Sequence, residues 1–366
     1  MCLVGLSAWS MGVGNKVRVG VFQGNGGAQT CIWETIASIQ LDPDMTVRTF
    51  TTGDIANGVL RDLDAIIIPG GEGATQYMNI GEENMERIRN FIRSGKGAVG
   101  ICAGAYLFTD TPGYACMHIN GGKAIDIEHD NRGHGLSAFS LTAEGKKLFP
   151  ELAKRDKSYV MYYEGPVLVK SDNIPLPYTT MAIMETDVHE EGNAPANMTN
   201  NRPFFIANEY GKGPVFSSIS HPEATPGMMW MIPRMVRWTL RMPVVAYSKR
   251  VVNPDLYNRE ILMTKDDLRK ERGYYRTFLY GSPKEKIAAL DWLQACRSWD
   301  AKRWVQGLLF DNSPAVRERA ARFIAETDYL PFLSDLEAAC RVERDEQTKQ
   351  SMMRHFEHLK ALLPHK

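Results

Sequence analysis

The chain has 366 residues, enough for two domains, and its hydrophobic and charged fractions of 44% and 23% are ordinary for a globular protein. Lysine plus arginine and aspartate plus glutamate each number 43, so the formal net charge is zero and gives no argument for a nucleic-acid partner or an anionic membrane surface. No apolar run approaches the roughly 20 residues that a membrane span needs. We therefore expect neither a nucleic-acid partner nor a transmembrane segment.

The six cysteines are scattered along the chain, without a Cys-x-x-Cys pair or a Cys/His spacing typical of zinc sites. A disulfide framework is not expected in a chain of this length. The simplest prediction is one reactive thiol and five ordinary ones. The sequence predicts no metal site and no cofactor.

Residues 1–15 are predicted to be a leader or the remnant of a signal peptide. The uncharged, mostly apolar stretch 2–14 has about the length of a signal-peptide core. It lacks a preceding basic segment and a clear cleavage site, so a loose leader remains an alternative. The pattern favours export to the periplasm, with a cytoplasmic location as the alternative.

Apolar strands alternate with helices between residues 16 and 245. This order is typical of an α/β fold in which helices cover both faces of a parallel sheet. The predicted helices include Gln29–Gln40, Glu82–Ser94 and Gly227–Leu240. The predicted strands include Lys16–Phe22, Met45–Phe50, Ala65–Ile68, the run that ends at Ile101, Thr179–Glu185, Pro203–Tyr210 and Pro214–Ile219.

A lone cysteine follows one of these strands in the stretch Ala98–Ala105. A short apolar run, a cysteine between small residues and a helical segment are typical of a sharp turn that carries a nucleophile. Gly100 and Gly104 leave room for such a turn. Taken alone, the stretch predicts a nucleophilic Cys102 and a buried core cysteine about equally, since free cysteines are often buried.

A histidine and a glutamate follow the last strand of the predicted sheet. His221 would take the proton of a thiol, and Glu223, two residues on, would project from the same side and fix its tautomer. An isolated His-x-Glu is usually a surface pair. Here it stands at a strand end, as Cys102 does, and strand ends in open α/β sheets meet at one edge. The interpretation as catalytic groups is therefore favoured.

The loop Pro69–Gly73 follows another apolar strand and is predicted to complete the site. The backbone N–H of Ala103 and one from Gly70 or Gly71 would form an oxyanion hole. Glu72 in this loop is a candidate pocket residue.

The polar segment Asp126–His134 supplies further pocket candidates, Arg132 and His134. Its side chains could bind a metal or line a pocket, and a solvated loop is the favoured alternative. Tyr163 and Glu164 are pocket candidates as well, although aromatic residues in strands more often lie in the core.

The segments IIIPGGEG, GAVGICAGAY and SISHPE, in this order and spacing, resemble the class I glutamine amidotransferase-like superfamily. The segments FQGNGGAQ, DIEHDNRGHG, LTAEGKKLFP and YYEGPVLV are similar to one of its families, the biotin–protein ligase N-terminal-domain-like family. The resemblance covers about residues 16–245. It implies a flavodoxin-like sandwich and a triad of Cys102 as nucleophile, His221 as base and Glu223 as its orienting group. Gly71 and Ala103 would be the oxyanion donors.

The sequence departs from true glutaminases of this class at one position. Their elbow reads G-x-C-x-G-x-Q, and the glutamine helps to hold the substrate, whereas Tyr106 stands there in this chain. No synthetase, nucleotide-binding or biotin-ligase catalytic module is visible. Tyr106 is therefore a further pocket candidate and argues against glutamine hydrolysis coupled to a synthetase.

The C-terminal third is predicted to begin with a linker, residues 246–281, which wraps the first domain or links onward, and to continue as HEAT-like helical repeats over residues 282–366. Ser282-Pro283 recurs as Ser313-Pro314, and a degenerate third copy runs from about Asp345 to Leu362. Offsets of about 30 residues with helical periodicity are typical of helical-hairpin solenoids, which present a binding surface to partners. A helical cap that only packs on the first domain is the alternative.

Two functions follow from these patterns. The first is a cysteine-dependent hydrolase or amidotransferase that acts on an unknown small molecule with an amide or related carbonyl. The second is a non-catalytic binding or scaffold protein that keeps the fold and recognises a protein partner through its repeats.

Overall fold

The computed structural model describes residues 16–129, 131–192 and 194–364. The predicted leader, residues 1–15, lies outside the described residues. The strands are β1 (Val17–Phe22), β2 (Met45–Phe50), β3 (Ala65–Ile68), β4 (Gly97–Ile101), β5 (Gly122–Ala124), β6 (His134–Leu141), β7 (Ser158–Tyr163), β8 (Leu168–Lys170), β9 (Tyr178–Met184), β10 (Pro203–Tyr210), β11 (Gly213–Ser218) and β12 (Ile261–Leu262).

The helices fall into two groups, α1–α7 around the sheet and α8–α13 in the C-terminal third. They are α1 (Gln29–Ile39), α2 (Thr52–Ala56), α3 (Gly73–Ile80), α4 (Glu82–Arg93), α5 (Ala103–Leu107), α6 (Ala143–Leu148), α7 (Met231–Thr239), α8 (Lys265–Tyr280), α9 (Pro283–Ala295), α10 (Lys302–Leu308), α11 (Pro314–Glu326), α12 (Leu333–Val342) and α13 (Glu346–Lys360).

The main sheet is mixed, with a parallel half and an antiparallel half. Its strand order is β12-β6-β9-β10-β11-β4-β3-β1-β2, and β7 also pairs with β6. The strands β2, β1, β3, β4 and β11 run parallel, whereas β11–β10 and the pairs beyond it are antiparallel. The predicted parallel sheet flanked by helices is therefore confirmed for the half that ends at β11.

The central strands of the parallel half, β3, β4 and β11, are buried along their whole length. In β3, Ile66 and Ile68 pack with the α4 side chain Ile88 on one face. Ala65 and Ile67 belong to the core on the other face, which α1 and α7 cover. Alternate residues of a strand point to opposite faces, so an uninterrupted apolar run is what a doubly covered strand requires.

The segment between the sheet domain and the C-terminal helices has secondary structure of its own. The segment 246–281, expected to be a linker, contains β12, which pairs with β6, and the 16-residue helix α8. Thr264 caps α8 through a capping box with Asp267, a local signal that marks a helix start. The segment thus pairs with the main sheet through β12 and begins the C-terminal helices with α8.

The repeated Ser-Pro positions have the same structural role. Ser282 and Ser313 each occupy the N-cap position with proline at N1, before α9 and α11, and Asp345 caps α13. The helices α9, α11 and α13 pack side by side. The assignment of this region to HEAT-type repeats stays a prediction.

Within the described residues, no helix combines the length and the apolarity that crossing a membrane requires.

Candidate active site

Cys102 occupies a strained turn between β4 and α5. Its backbone has φ 50° and ψ −106°, a conformation that non-glycine residues rarely adopt. The Cys102 N–H donates to the carbonyl of Ser218, 2.8 Å away, so the turn is tied to the end of β11. Backbone strain of this kind persists only where the surrounding structure enforces it, and it concentrates at functional sites.

The turn requires glycine two residues further on. A Cβ atom placed on Gly104 would lie 2.0 Å from the carbonyl oxygen of Ile68 in β3. Only glycine therefore lets α5 start this close to the neighbouring strand. The sequence analysis predicted that Gly104 leaves room for the Cys102 turn.

His221 and Glu223 lie at the end of the strand next to Cys102. Because β11 runs parallel to β4, the segments that follow the two strands meet at the same edge of the sheet. The Nδ1 atom of His221 lies 2.7 Å from Oε1 of Glu223. The residues are only 2% and 1% exposed, so this hydrogen bond is shielded from water.

Further hydrogen bonds fix the His221 backbone. Its N–H donates to the Met161 carbonyl, 2.7 Å away, and its carbonyl accepts from the hydroxyl of Thr225. The proline that follows His221 begins a short 3₁₀ turn, which brings Glu223 back to the imidazole. The sequence-predicted pair is therefore an ordered, buried pair.

The Cys102 thiol and the Glu223 carboxylate both raise the pKa of the His221 imidazole. Burial lowers the pKa of His221, but the charges of Cys102 and Glu223 and a hydrogen bond with the Cys102 thiol outweigh it, and the pKa rises well above the usual value. The Cys102 thiol also donates to the carbonyl oxygen of Tyr163, at 3.3 Å. Cys102, His221 and Glu223 are thus brought together.

The glycine loop forms the opposite wall. Gly71 has φ 145° and pairs with Gly27 in an antiparallel bridge. The bridge consists of two hydrogen bonds, Ala28 N–H to Gly70 O at 3.0 Å and Glu72 N–H to Gly26 O at 2.7 Å. Because these bonds flank Gly71, its own N–H points away from the facing strand.

Gly70 packs directly on the imidazole, which gives a testable expectation. A Cβ atom at this position would lie 2.7 Å from Cε1 of His221. Gly70→Ala is expected to lower the free energy of unfolding by about 1–3 kcal/mol through overpacking, measured by urea denaturation. The control is Gly307→Ala in α10, where an added Cβ meets nothing within 4 Å, and helix propensity predicts a gain of about 0.5–1 kcal/mol. Equal effects of the two variants would contradict this packing.

An open cleft of about 480 Å³ leads to the Cys102 thiol. Of the sequence-predicted residues, Gly71, Cys102, Ala103 and His221 line it, and so do the pocket candidates Glu72, Tyr106, Tyr163 and Glu164. Tyr106 stacks against Tyr114, with ring centroids 4.2 Å apart. The cleft therefore gathers predicted residues from the ends of four strands, β3, β4, β7 and β11.

Two predicted pocket residues lie behind the cleft wall. Arg132 is fully buried, pairs with Asp126 at 2.7 Å and donates to the Tyr162 hydroxyl at 2.7 Å. His134 pairs with Glu191 at 2.7 Å and stacks on the Tyr163 ring. Neither belongs to the cleft lining; both support the Tyr163–Gly165 turn.

The structure adds cleft residues that the sequence patterns did not indicate. Cys31, in the first turn of α1, lies close to the imidazole, and Trp299, Asp300 and Arg303 come from the C-terminal third. The Trp299 ring meets the His221 ring edge-on, with centroids 4.7 Å apart. Of these contacts, the sequence indicated only that the C-terminal helices pack on the first domain.

This fold and the strand-end arrangement of the site define a class I glutamine amidotransferase-like protein. Residues 17–237 match the family model described as "Biotin-protein ligase, N terminal", which covers more than half of the chain. The chain therefore belongs to this family.

Curated relatives are similar over shorter segments. The chain is 38% identical over 90 residues to the pyridoxal 5'-phosphate synthase subunit PdxT of Bacillus cereus, which is 24% of this chain and 45% of that protein. It is 28% identical over 149 residues to PdxT of Picrophilus torridus, which is 36% of this chain and 75% of that protein. The match thus spans less than half of the Bacillus protein.

Solved structures with low identity also match. A putative ThuA-like protein from Parabacteroides merdae has a TM-score of 0.46 and 11% identity, covering 65% of this chain and 94% of its own. The glutaminase domain of Trypanosoma brucei CTPS has a TM-score of 0.41 and 11% identity, covering 64% and 98%.

Proposed function

We propose that this protein is a cysteine-dependent hydrolase or acyltransferase that acts on an amide or related carbonyl. One observation carries the proposal: a cysteine in a strained turn, beside a buried histidine whose far nitrogen is held by a buried glutamate. This is the arrangement that nucleophilic catalysis by a thiol needs, namely a nucleophile, a base and a group that fixes the base.

The proposed reaction proceeds through a thioester. The Sγ electron pair of Cys102 attacks the carbonyl carbon while Nε2 of His221 takes the thiol proton. Glu223 holds Nδ1 and stabilises the imidazolium that forms. The tetrahedral intermediate then collapses, the carbon–nitrogen bond breaks, and the leaving amine takes the proton from Nε2. Water hydrolyses the thioester, or an acceptor amine displaces it.

The oxyanion is proposed to be stabilised by two backbone donors. The N–H of Ala103 begins α5 and has no partner within its own helix, since the first N–H groups of a helix never do. The N–H of Gly71 points away from its bridge to Gly27. Both residues line the cleft beside Cys102. Fixed donors of this kind typically account for about 10²–10³ in rate.

The proposed substrate is a small molecule other than glutamine. The cleft is of small-molecule size. Tyr106, paired with Tyr114, occupies the position at which glutaminases of this class carry a glutamine. Trp299 and Tyr163 add apolar surface next to the reacting thiol. The predicted role of the C-terminal helices in binding a protein partner stays a separate prediction.

An ester that releases a chromophore tests the chemistry without the natural substrate. We expect p-nitrophenyl acetate to give a burst of about one equivalent of p-nitrophenolate, because acylation of an activated thiol precedes slower deacylation. The adduct is read by peptide mass spectrometry as an acetyl group on Cys102.

Two cysteine variants show which thiol produces the burst. Cys102→Ala is expected to abolish it. Cys296→Ala is the matched control, since this half-buried thiol lies in the C-terminal third and burial raises its pKa to about 12. A burst of unchanged size in Cys102→Ala, or an acetyl group mainly on Cys296, would overturn the proposal.

A further inference from the structure

A second buried thiol adjoins the proposed triad without a part in it. Cys31 is only 4% exposed, and it lines the cleft beside His221. Ligand atoms of Cys31, His221 and Glu223 all lie within 4.8 Å of one another. The three residues come from α1 and from the segment after β11, and the fold alone brings them together.

One oxygen of this cluster has no partner. Oε1 of Glu223 bonds to His221, but Oε2 is buried and accepts no hydrogen bond from any described residue. Glu223 is 1% exposed, so this oxygen is not satisfied by bulk water either. Buried polar atoms of folded proteins nearly always have a partner, so this oxygen is a candidate ligand for an ion.

Gly70 packs closely against one side of the cluster. A Cβ atom on Gly70 would lie 3.0 Å from the Cys31 Sγ and 3.5 Å from His221 Nδ1. The cleft reaches another side, since both Cys31 and His221 line it. A small ion can therefore approach the cluster from the cleft.

The three ligand types of this cluster favour one class of metal ion over others. A thiolate, an imidazole and a carboxylate together suit zinc, whereas Mg²⁺ and Ca²⁺ prefer oxygen ligands alone. Zinc sites with an open position have three protein ligands and one water. Adjacent zinc ligands stand about 3–4 Å apart, so side-chain adjustments of about 1 Å bring these three atoms into range.

We propose that Cys31, His221 and Glu223 bind one zinc ion and that this ion switches the active site off. Binding displaces the proton of the Cys31 thiol to solvent, and the Nδ1 proton that His221 shares with Glu223 moves to Nε2, which can then no longer take a proton from Cys102. No electron is transferred. The imidazole then bonds to the metal through Nδ1 and loses the carboxylate that orients it for Cys102. The inhibitory effect rests on the proposed function, whereas the binding does not.

Competition with a chromophoric zinc chelator tests the binding on the full chain. We expect the wild type to withdraw one equivalent of Zn²⁺ and a large excess of Mg²⁺ to leave this unchanged. Cys31→Ser is expected to weaken binding at least tenfold, because a hydroxyl is a poor zinc ligand. Glu223→Gln is expected to weaken it as well and serves if Cys31→Ser does not fold.

The controls separate this site from the other thiols and from the catalytic proposal. Cys102→Ala and Cys296→Ser should bind zinc as the wild type does. Zinc should suppress the p-nitrophenyl acetate burst of the wild type, EDTA should restore it, and Cys31→Ser should resist suppression. No zinc binding by the wild type, or equal binding by Cys31→Ser, would overturn the proposal. A missing burst in metal-free wild type would instead count against the catalytic function, and the chelator titration would still decide the zinc site.

Discussion

Lys302→Met is expected to lower the free energy of unfolding by about 3–5 kcal/mol, measured by urea denaturation at pH 7. Lys302, at the start of α10, forms an ion pair with Glu34 of α1. The two residues are 8% and 1% exposed, so removing the ammonium leaves a buried carboxylate without its counter-charge. Burial raises the pKa of Glu34, and Lys302 opposes that shift. In the variant, Glu34 takes up a proton more readily, which limits the loss of stability.

This pair joins the C-terminal third to the proposed site. The Lys302 ammonium also lies over the rings of Trp299 and Tyr329, at 4.6 and 4.8 Å from their centroids. Loss of the pair should therefore loosen Trp299, which contacts His221. We expect a smaller p-nitrophenyl acetate burst rate together with the lower stability.

Arg303→Ala in the same helix is the matched control for this prediction. Its pair with Asp300, at 3.3 Å, is largely exposed and should be worth less than about 1 kcal/mol. The double variant Glu34→Gln/Lys302→Met should recover part of the loss, since it leaves no buried charge. A loss in Lys302→Met no larger than that in Arg303→Ala would show that the buried pair does not stabilise the docking.

His221→Ala is expected to slow acylation of Cys102 by about 10²–10⁴-fold, the range typical of a lost general base. The imidazole lies beside the thiol, at the end of the adjacent parallel strand. Glu223→Gln should also slow acylation, because a neutral amide can hold the wrong tautomer of the imidazole. The rate of the p-nitrophenolate burst measures both effects.

The control for these variants is another histidine–carboxylate pair. His358 bonds to Asp328 at 3.0 Å in the C-terminal third, and His358→Ala should leave the burst rate unchanged. Circular dichroism and urea denaturation of His221→Ala establish that any loss of rate is not a loss of fold. A folded His221→Ala variant that acylates at the wild-type rate would show that the imidazole is not the base.

The sequence predicted the parts of the fold that depend on local patterns. Met45–Phe50 and Ala65–Ile68 are strands with the predicted bounds, and Ala65–Ile68 is an uninterrupted apolar run, which suits a strand covered on both faces. The Cys102 turn and the His221–Glu223 pair could be predicted for a related reason. Each follows directly after a strand of the parallel half, and such strand ends meet at one edge.

Contacts between distant segments could not be predicted in this way. Cys31 adjoins His221 only because α1 packs beside the segment after β11, and no spacing in the sequence encodes a cluster whose members are so far apart. Trp299 reaches the cleft because the helical third docks on the sheet domain through Lys302 and Glu34. The sequence does not distinguish Arg132 from a cleft residue, because a polar segment is equally typical of a pocket wall. Its buried ion pair with Asp126, in the same segment, is visible only in the structure.

Residue-resolved alkylation of the wild type tests the central claim, that Cys102 is an activated nucleophile, most directly. Iodoacetamide is applied at pH 7, and the modification rate of each cysteine is followed by peptide mass spectrometry. Cys102 is only 7% exposed, whereas Cys296 is half-buried, so accessibility alone favours Cys296. We predict that Cys102 is nevertheless modified first, by at least tenfold, because of the imidazole beside it. Faster modification of Cys296 than of Cys102 would contradict the account.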